Sequence, residues 1–343
     1  MFKNISIIGD GGMGTVLGML LCGKNLHVKI WGYDEKQLMQ IAAAGENIKF
    51  LPGYMLPKNL EFEPGDKKIM AGTDLIISAV PCQFIRGIWV RLKNHTPKNI
   101  PIVSITKGIE NKTLLRPSEI ITEVLELSDD ARLAALSGPT IADELARELP
   151  ATACAAGSDE KLIGQIQTTL STNWFRVYTN TDIVGVELAG AMKNIIAIAA
   201  GIIDGIGAGD NCKAALVTRG LTEITRLGMA CGARTETFTG LTGLGDLVTT
   251  CISPTGRNRS FGEKIGKGQT IEQAQKSTQS VVEGIATCES VIELAKRKNV
   301  VMPITQAIYE VLFLNKPIKT AIDELMNRRL KAEVSVSAQN EKA

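Results

Sequence analysis

Short apolar runs alternate with helical stretches over the first half of the chain. Ile5-Ser-Ile-Ile8 leads directly into Gly9-Asp-Gly11-Gly-Met-Gly14, and the pattern then turns helical through Val16-Leu-Gly-Met-Leu-Leu21. His27-Val-Lys-Ile-Trp31 reads as the next strand. Asp74-Leu-Ile-Ile-Ser-Ala-Val80 ends in Pro81, Ile100-Pro-Ile-Val-Ser-Ile105 ends in Thr106-Lys107-Gly108, and Arg132-Leu-Ala-Ala-Leu136 ends in Ser137-Gly-Pro-Thr140. Ala151-Thr-Ala-Cys-Ala-Ala156 and Trp174-Phe-Arg-Val-Tyr178 are the last strand-like runs. Near-continuous apolar strands alternating with helices argue a parallel, doubly wound sheet. In such sheets ligands sit beyond the carboxyl ends of the strands, where Pro81, Lys107 and the Ser137–Thr140 turn all fall.

After Asp182 the pattern is helical almost to the end. Between Val186 and Ile203 only Glu187, Lys193 and Asn194 are polar, so apolar residues circle the whole helical wheel. A helix apolar all round is a buried one. Its uninterrupted apolar run, Ile195 to Ile203, is too short for a hydrocarbon core needing roughly 20 residues, so no membrane insertion is expected. This central helix carries a lysine inward. Burial disfavours the ammonium form and suits Lys193 to acid-base work; the bland alternatives are a snorkelling side chain or a structural pair with Glu187.

The first strand, glycine loop, helix and second strand, with Asp34 twenty residues after Gly14, have the spacing of a dinucleotide-binding unit. Gly9 permits the tight turn, Gly11 lets the backbone approach a pyrophosphate, and Gly14 lets helix and strand pack closely. The pyrophosphate then rests on the helix N-terminus. The fold class is therefore α/β. An N-terminal Rossmann-like, mostly parallel sheet occupies residues 1–180, a C-terminal all-α substrate domain 181–330, and a polar tail 331–343. Two glycine-rich loops interrupt the helical half, Asp204–Asn211 and Gly240–Asp246; the second delivers a carboxylate.

Composition narrows the function by exclusion. A net charge of +2, with Lys+Arg 38 against Asp+Glu 36 interspersed, gives no reason to expect a nucleic-acid partner or an anionic membrane surface. The seven cysteines lie at least 19 positions apart, so neither a metal site nor a redox dithiol is indicated. Scattered thiols and an N-terminus without a signal-peptide pattern lead us to expect a reduced, cytoplasmic protein. His27 opens a strand and His95 sits in a polar turn, leaving proton transfer to Lys, Asp or Glu.

The ordered motifs resemble the bacterial-type NAD(P)-dependent glycerol-3-phosphate dehydrogenases over essentially the whole chain to about residue 320. The resemblance rests on Gly9–Gly14, Lys49-Phe-Leu-Pro52, Ser104-x-Thr-Lys-Gly-Ile-Glu110 and Ser137-Gly-Pro-Thr-x-Ala-x-Glu144, then Lys193-Asn194, Leu244-Gly-Asp246, Arg257-Asn-Arg259 and Val282-Glu-Gly284. It implies NAD or NADP as cofactor, a small phosphorylated substrate and a homodimer. It further implies Lys193 as the acid-base lysine and Lys107 as a second site lysine touching substrate and cofactor. Asp246 would hold a substrate hydroxyl or tune the lysine pair. Arg257 and Asn258, beside Gly256, would clamp the phosphate, Arg257 also reaching the cofactor. Gly138 and Thr140 would meet the substrate. Gly9, Gly11, Gly12, Met13, Gly14, Tyr33, Asp34, Ala142, Val281 and Glu283 would meet the cofactor.

Three departures from the family pattern bear on these roles. Gly12 and Met13 replace a usual Ser or Gly and an aromatic residue, Tyr33 replaces a common Arg or His, and Gly256 replaces a common serine. At the ribose spacing Asp34 would accept from a 2′-hydroxyl and repel a 2′-phosphate, unless Trp31 ends the strand and Asp34 lies past the ribose with Tyr33 facing it; Lys36 is the nearest cation, and on charge alone NAD is expected to serve at least as well as NADP. Two other readings compete: a β-hydroxyacid dehydrogenase, which would not need the Arg257-Asn258 clamp, and a non-catalytic dinucleotide sensor, which leaves Lys193 and Lys107 unexplained.

Overall fold

The computed structural model describes residues 2–278, 281–330, 332 and 333. The polar tail expected over 331–343 therefore lies, apart from residues 332 and 333, outside the described residues.

Among the described residues ten strands form: β1 (Asn4–Ile8), β2 (His27–Trp31), β3 (Glu46–Asn47), β4 (Leu51–Met55), β5 (Leu60–Phe62), β6 (Leu75–Ser78), β7 (Ile102–Ser104), β8 (Leu133–Ser137), β9 (Ala151–Ala156) and β10 (Phe175–Asn180). Eight of them make one sheet in the order β10-β9-β8-β7-β6-β1-β2-β5. Every pairing in it is parallel except β8 with β9. Register follows the apolar pattern, with Ile5 opposite Val28 and Leu75, and Ile7 opposite Ile30 and Ile77. All four β6 residues are buried, as a central strand covered on both faces requires. One face packs Ile5 and Ile7 against Val16, Leu17 and Leu21 of the helix Gly12–Gly23, while the other packs Ile8 and Ile76 around Trp31 and Trp89.

The sequence pattern located seven of these strands. It passed over β5 and the antiparallel pair β3–β4, whose residues are short, partly exposed and interrupted by Pro52 and Gly53. Edge and excursion strands have no doubly buried face to write an apolar run into the sequence.

The central helix runs Ile183–Ile206. Its N-cap, Asp182, accepts from the Gly185 amide at 2.8 Å, and Gly207 closes it in the left-handed conformation, φ 67°. Asp182 also accepts from the Arg234 amide and the Thr237 hydroxyl, tying the neighbouring helices to this start. The 24-residue helix is long and apolar enough to cross a membrane, yet its most apolar stretch is wholly enclosed by protein. Ile195, Ile196 and Ile198 meet Ile224, Leu227, Phe238, Phe261 and Val291 from surrounding helices. Each such buried side chain contributes about 1.5–3 kcal/mol over exposure.

One crossing is closer than side chains permit. The central helix meets the helix Arg257–Gly266 backbone to backbone: a Cβ built on Gly205 would lie 2.7 Å from the Gly266 Cα, and one on Gly266 2.9 Å from the Gly205 Cα. Glycine at both positions is a packing requirement, since nothing flexible can move aside.

Glu187 is fully engaged away from Lys193. It accepts from Arg116 at 2.5 Å and from the Ser118 amide and hydroxyl at 2.9 and 2.6 Å. The structural Lys193–Glu187 pair allowed by the sequence does not form.

Candidate active site

Three segments far apart in the chain deliver one buried cluster. Lys193 stands midway along the central helix and is only 6% exposed. Asp246, 1% exposed, opens the helix Asp246–Ile252. The stretch before it, expected as a glycine-rich loop, is a π-helical turn over Leu241–Gly245 that aims the carboxylate inward. Lys107 follows β7 and brings its stem past Gly190, one helical turn before Lys193. Asp246 then accepts from both lysines, Oδ1 from Lys193 Nζ at 2.5 Å and Oδ2 from Lys107 Nζ at 2.7 Å.

The remaining bonds fix both ammonium groups. Lys193 Nζ also meets Thr250 Oγ1 at 2.5 Å, and Thr250 itself donates to the Asp246 carbonyl one turn back. Lys107 Nζ donates to the Gly138 carbonyl at 3.0 Å, joining the end of β8 to the cluster. Asn194, next to Lys193, donates to the Lys107 carbonyl at 3.4 Å. Burial lowers the Lys193 pKa to about 8; Asp246 opposes that fall and Lys107 adds to it. With both lysines protonated the trio carries one net positive charge in a water-poor site, so it favours an anion or a developing alkoxide.

The glycine loop meets the requirements of a dinucleotide pyrophosphate. Gly9 has φ +120°, and a Cβ there would lie 2.7 Å from the Ala79 carbonyl oxygen. A Cβ on Gly14 would run into the Gly9 carbonyl, whereas one on Gly11 would meet nothing within 4 Å. The open side at Gly11 is where the helix Gly12–Gly23 begins, without a side-chain cap on its first amides. A closed back, an open front and uncapped amides fit a phosphate. Gly12 packs under the Phe50 carbonyl and beside Ala142, so the excursion carrying Lys49 and Phe50 roofs the loop. Met13 is partly buried against the sheet-side core. Tyr33 is 73% exposed under the Arg91 guanidinium, and Asp34 caps the helix Glu35–Ala44 through the Gln37 amide at 3.2 Å.

The remaining residues, apart from Thr140 after β8, lie on the helical half, facing the strand ends. Glu283, which opens the helix Glu283–Arg297, accepts from the Cys82 amide just beyond β6 at 3.1 Å. Burial pushes its carboxyl group up, while the Cys82 amide and the charges of Arg257, Lys107 and Lys193 pull it down. The exposed Arg257 reaches the Val281 carbonyl at 3.5 Å. Asn258 is buried and accepts from the Gly284 amide at 3.0 Å, and among the described residues its amide donors have no partner. Gly256 is the N-cap of the helix Arg257–Gly266 and adds no side-chain contribution. Arg259 turns away from this group to Asp204 and Glu263, a structural ion network. Thr140 donates to the Gly138 carbonyl at 3.2 Å, beside the Lys107 contact.

Comparison with known proteins agrees with this geometry. The family model for the N-terminus of NAD-dependent glycerol-3-phosphate dehydrogenase matches residues 4–163, and the one for its C-terminus matches 182–323. The chain belongs to the NAD-dependent glycerol-3-phosphate dehydrogenase family. Its relatives include the glycerol-3-phosphate dehydrogenase [NAD(P)+] of a Geobacter species, 45% identical over 97% of this chain and 99% of that one. The Clostridium tetani protein of the same name is 44% identical over 96% and 94%. The crystal structure of the Coxiella burnetii glycerol-3-phosphate dehydrogenase superposes with a TM-score of 0.91 at 35% identity, covering 95% of this chain and 99% of that one. A D-mandelate dehydrogenase shares only the fold, with a TM-score of 0.61 at 13% identity.

Sequence reasoning about this glycerol-3-phosphate dehydrogenase family member missed several partners. Thr250, which holds Lys193, carries the one available signal: it lies four residues after Asp246, hence on the same helical face. Asn47, fully buried, donates to the Asp10 carbonyl and to Thr15 at 2.8 Å each, and so braces the glycine loop. No periodicity marks an asparagine whose partners lie 37 and 32 residues away.

Proposed function

We propose that this chain interconverts dihydroxyacetone phosphate and sn-glycerol 3-phosphate with NAD or NADP, supplying glycerophospholipid synthesis. The observation that carries the reading is the buried Lys193–Asp246–Lys107 cluster, with a lysine pKa near neutrality, beside the crevice at the strand ends. The nicotinamide, when bound, supplies or accepts the hydride at C2. Lys193 donates a proton to the C2 oxygen when the ketone is reduced and withdraws it in reverse. Lys107 stabilises the negative charge that develops on that oxygen. Asp246 keeps both ammonium groups in place and lifts the Lys193 pKa from where burial alone would leave it.

Arg257 and Asn258 take the substrate phosphate, the guanidinium by its planar fork and the amide by its free donors, with the Gly256 backbone alongside. Gly138 and Thr140 border the substrate. The amides from Gly11 to Gly14 face the pyrophosphate under Met13 and Ala142. Tyr33 and Asp34 flank the adenosine, and Val281 and Glu283 the other end of the cofactor. Residues 1–180 hold the dinucleotide and 181–330 the substrate. The chain works in the cytoplasm as a homodimer, as the family resemblance implies. Dihydroxyacetone phosphate-dependent loss of nicotinamide absorbance tests the activity; its absence with both cofactors would overturn it. Elution of the purified chain at monomer mass would overturn the dimer.

A further inference from the structure

Two carboxylates stand at the adenosine end of the crevice. Asp34 is exposed and already caps a helix. Asp10, inside the glycine loop, was assigned no role by the motif. Its carboxylate lies against Gly32, the first residue beyond β2: a Cβ built there would be 2.9 Å from Asp10 Cγ and 3.0 Å from Oδ2. Beyond the end of the second strand is where a dinucleotide fold places the acid that meets the ribose 2′ position. The group is held there by a relay. Gln37 Nε2 donates to Asp10 Oδ2 at 2.7 Å, and Gln37 Oε1 accepts from Lys49 Nζ at 2.7 Å. Among the described residues Oδ1 has no hydrogen-bond partner, so one acceptor stays available at the site.

We infer that Asp10, rather than Asp34, sets the choice between NAD and NADP in this chain, accepting from a ribose 2′-hydroxyl and excluding a 2′-phosphate. The inference rests on the dinucleotide reading above. The geometry supports Asp10 over Asp34 on three counts. It is anchored on both sides by loop and relay, whereas Asp34 projects into solvent. It is partly buried, so its charge is less screened. Among the described residues it forms no ion pair, and the cation Lys49 reaches it only through Gln37. Burial holds the Asp10 carboxyl above the ordinary carboxylate value; the Gln37 bond and Lys49 oppose this in part, and Asp34 adds to it.

The test is equilibrium titration of the full-length chain with NADH and with NADPH, in the absence of substrate, read by nicotinamide fluorescence. NADH should bind more tightly to the unmodified chain. Asp10→Asn keeps the Gln37 bond and removes the charge, so NADPH affinity should rise about tenfold, a change of about 1.4 kcal/mol. NADH should change by only a few-fold. Asp34→Asn, which can still cap the helix, should leave the ratio of the two constants unchanged. Lys49→Met, which leaves Asp10 intact, should move the ratio further against NADPH. An unchanged ratio in Asp10→Asn, equal losses for both cofactors, or an equal shift in Asp34→Asn overturns the inference and leaves the dinucleotide reading standing. Failure of the unmodified chain to bind either cofactor overturns that reading itself.

Discussion

The two ends of the site are built from different materials. The glycine loop is six consecutive residues, and what it offers a ligand is backbone: open amides, a positive φ and the absence of Cβ atoms. The lysine cluster is three side chains separated by 53 and 139 residues, and what it offers is charge in a buried place. The first should tolerate changes that spare its backbone shape, Asp10 apart, whose charge bears on cofactor choice. The second should tolerate neither the loss of an ammonium group nor its exchange for a guanidinium. Binding and chemistry are thereby separable by mutation.

The strongest test of that separation is Lys193→Ala. Turnover should fall by about 100-fold or more, as loss of a positioned acid-base group does, while NADH still titrates with its original affinity. Lys193→Arg should not restore turnover, because a guanidinium holds its proton throughout the neutral range. Wild-type turnover in the alanine variant would remove Lys193 from the chemistry. The mirror experiment is Gly14→Ala, which presses a methyl group onto the Gly9 carbonyl. At about 1–3 kcal/mol for overpacking, dinucleotide affinity should fall roughly 5- to 150-fold. Turnover at saturating cofactor should hold; a matching loss of turnover would mean that the two ends are not independent.

Arg257→Ala probes the polar rim between them. Loss of a charge-assisted bond of about 1.5–3 kcal/mol should raise the KM for dihydroxyacetone phosphate by an order of magnitude, yet barely alter that for dihydroxyacetone. Equal losses on both would make Arg257 structural. The smallest effect is a displacement along the pH axis. On the proposed assignment ketone reduction needs the Lys193 ammonium, so its rate should decline as pH rises through about 8, and alcohol oxidation should rise through the same value. Since Asp246 holds that pKa up, Asp246→Asn should carry both midpoints to lower pH. Midpoints that stay in place would show that another group titrates.

The same contrast explains how much could be read from the sequence. β1, the glycine loop, its helix and β2 are contiguous, and each glycine serves a local backbone purpose, so the cofactor end was legible by spacing. The central helix was legible because eighteen residues with three polar positions can be satisfied only by burial. Lys193 stood out against that background. Asp246 and Arg257 did not, because a carboxylate after glycines and an arginine in a turn are common; only resemblance to a family singled them out. Asp10 and Thr250 escaped for a further reason. Each acts through a partner on another element or another turn, and no sequence period of 2 or 3.6 records such a meeting.

The glycine crossing of the two helices has a consequence for substrate choice. One helix carries Lys193 and the other begins with Arg257 and Asn258, and direct backbone contact at Gly205 and Gly266 sets how closely they approach. On the proposed assignment the pair is a fixed caliper, with the phosphate in one jaw and the reacting oxygen at the other. A phosphorylated ketone one carbon longer would have to leave one jaw to occupy the other. It should therefore lose turnover rather than affinity, whereas a large residue at Gly205 should widen the gap and narrow that difference.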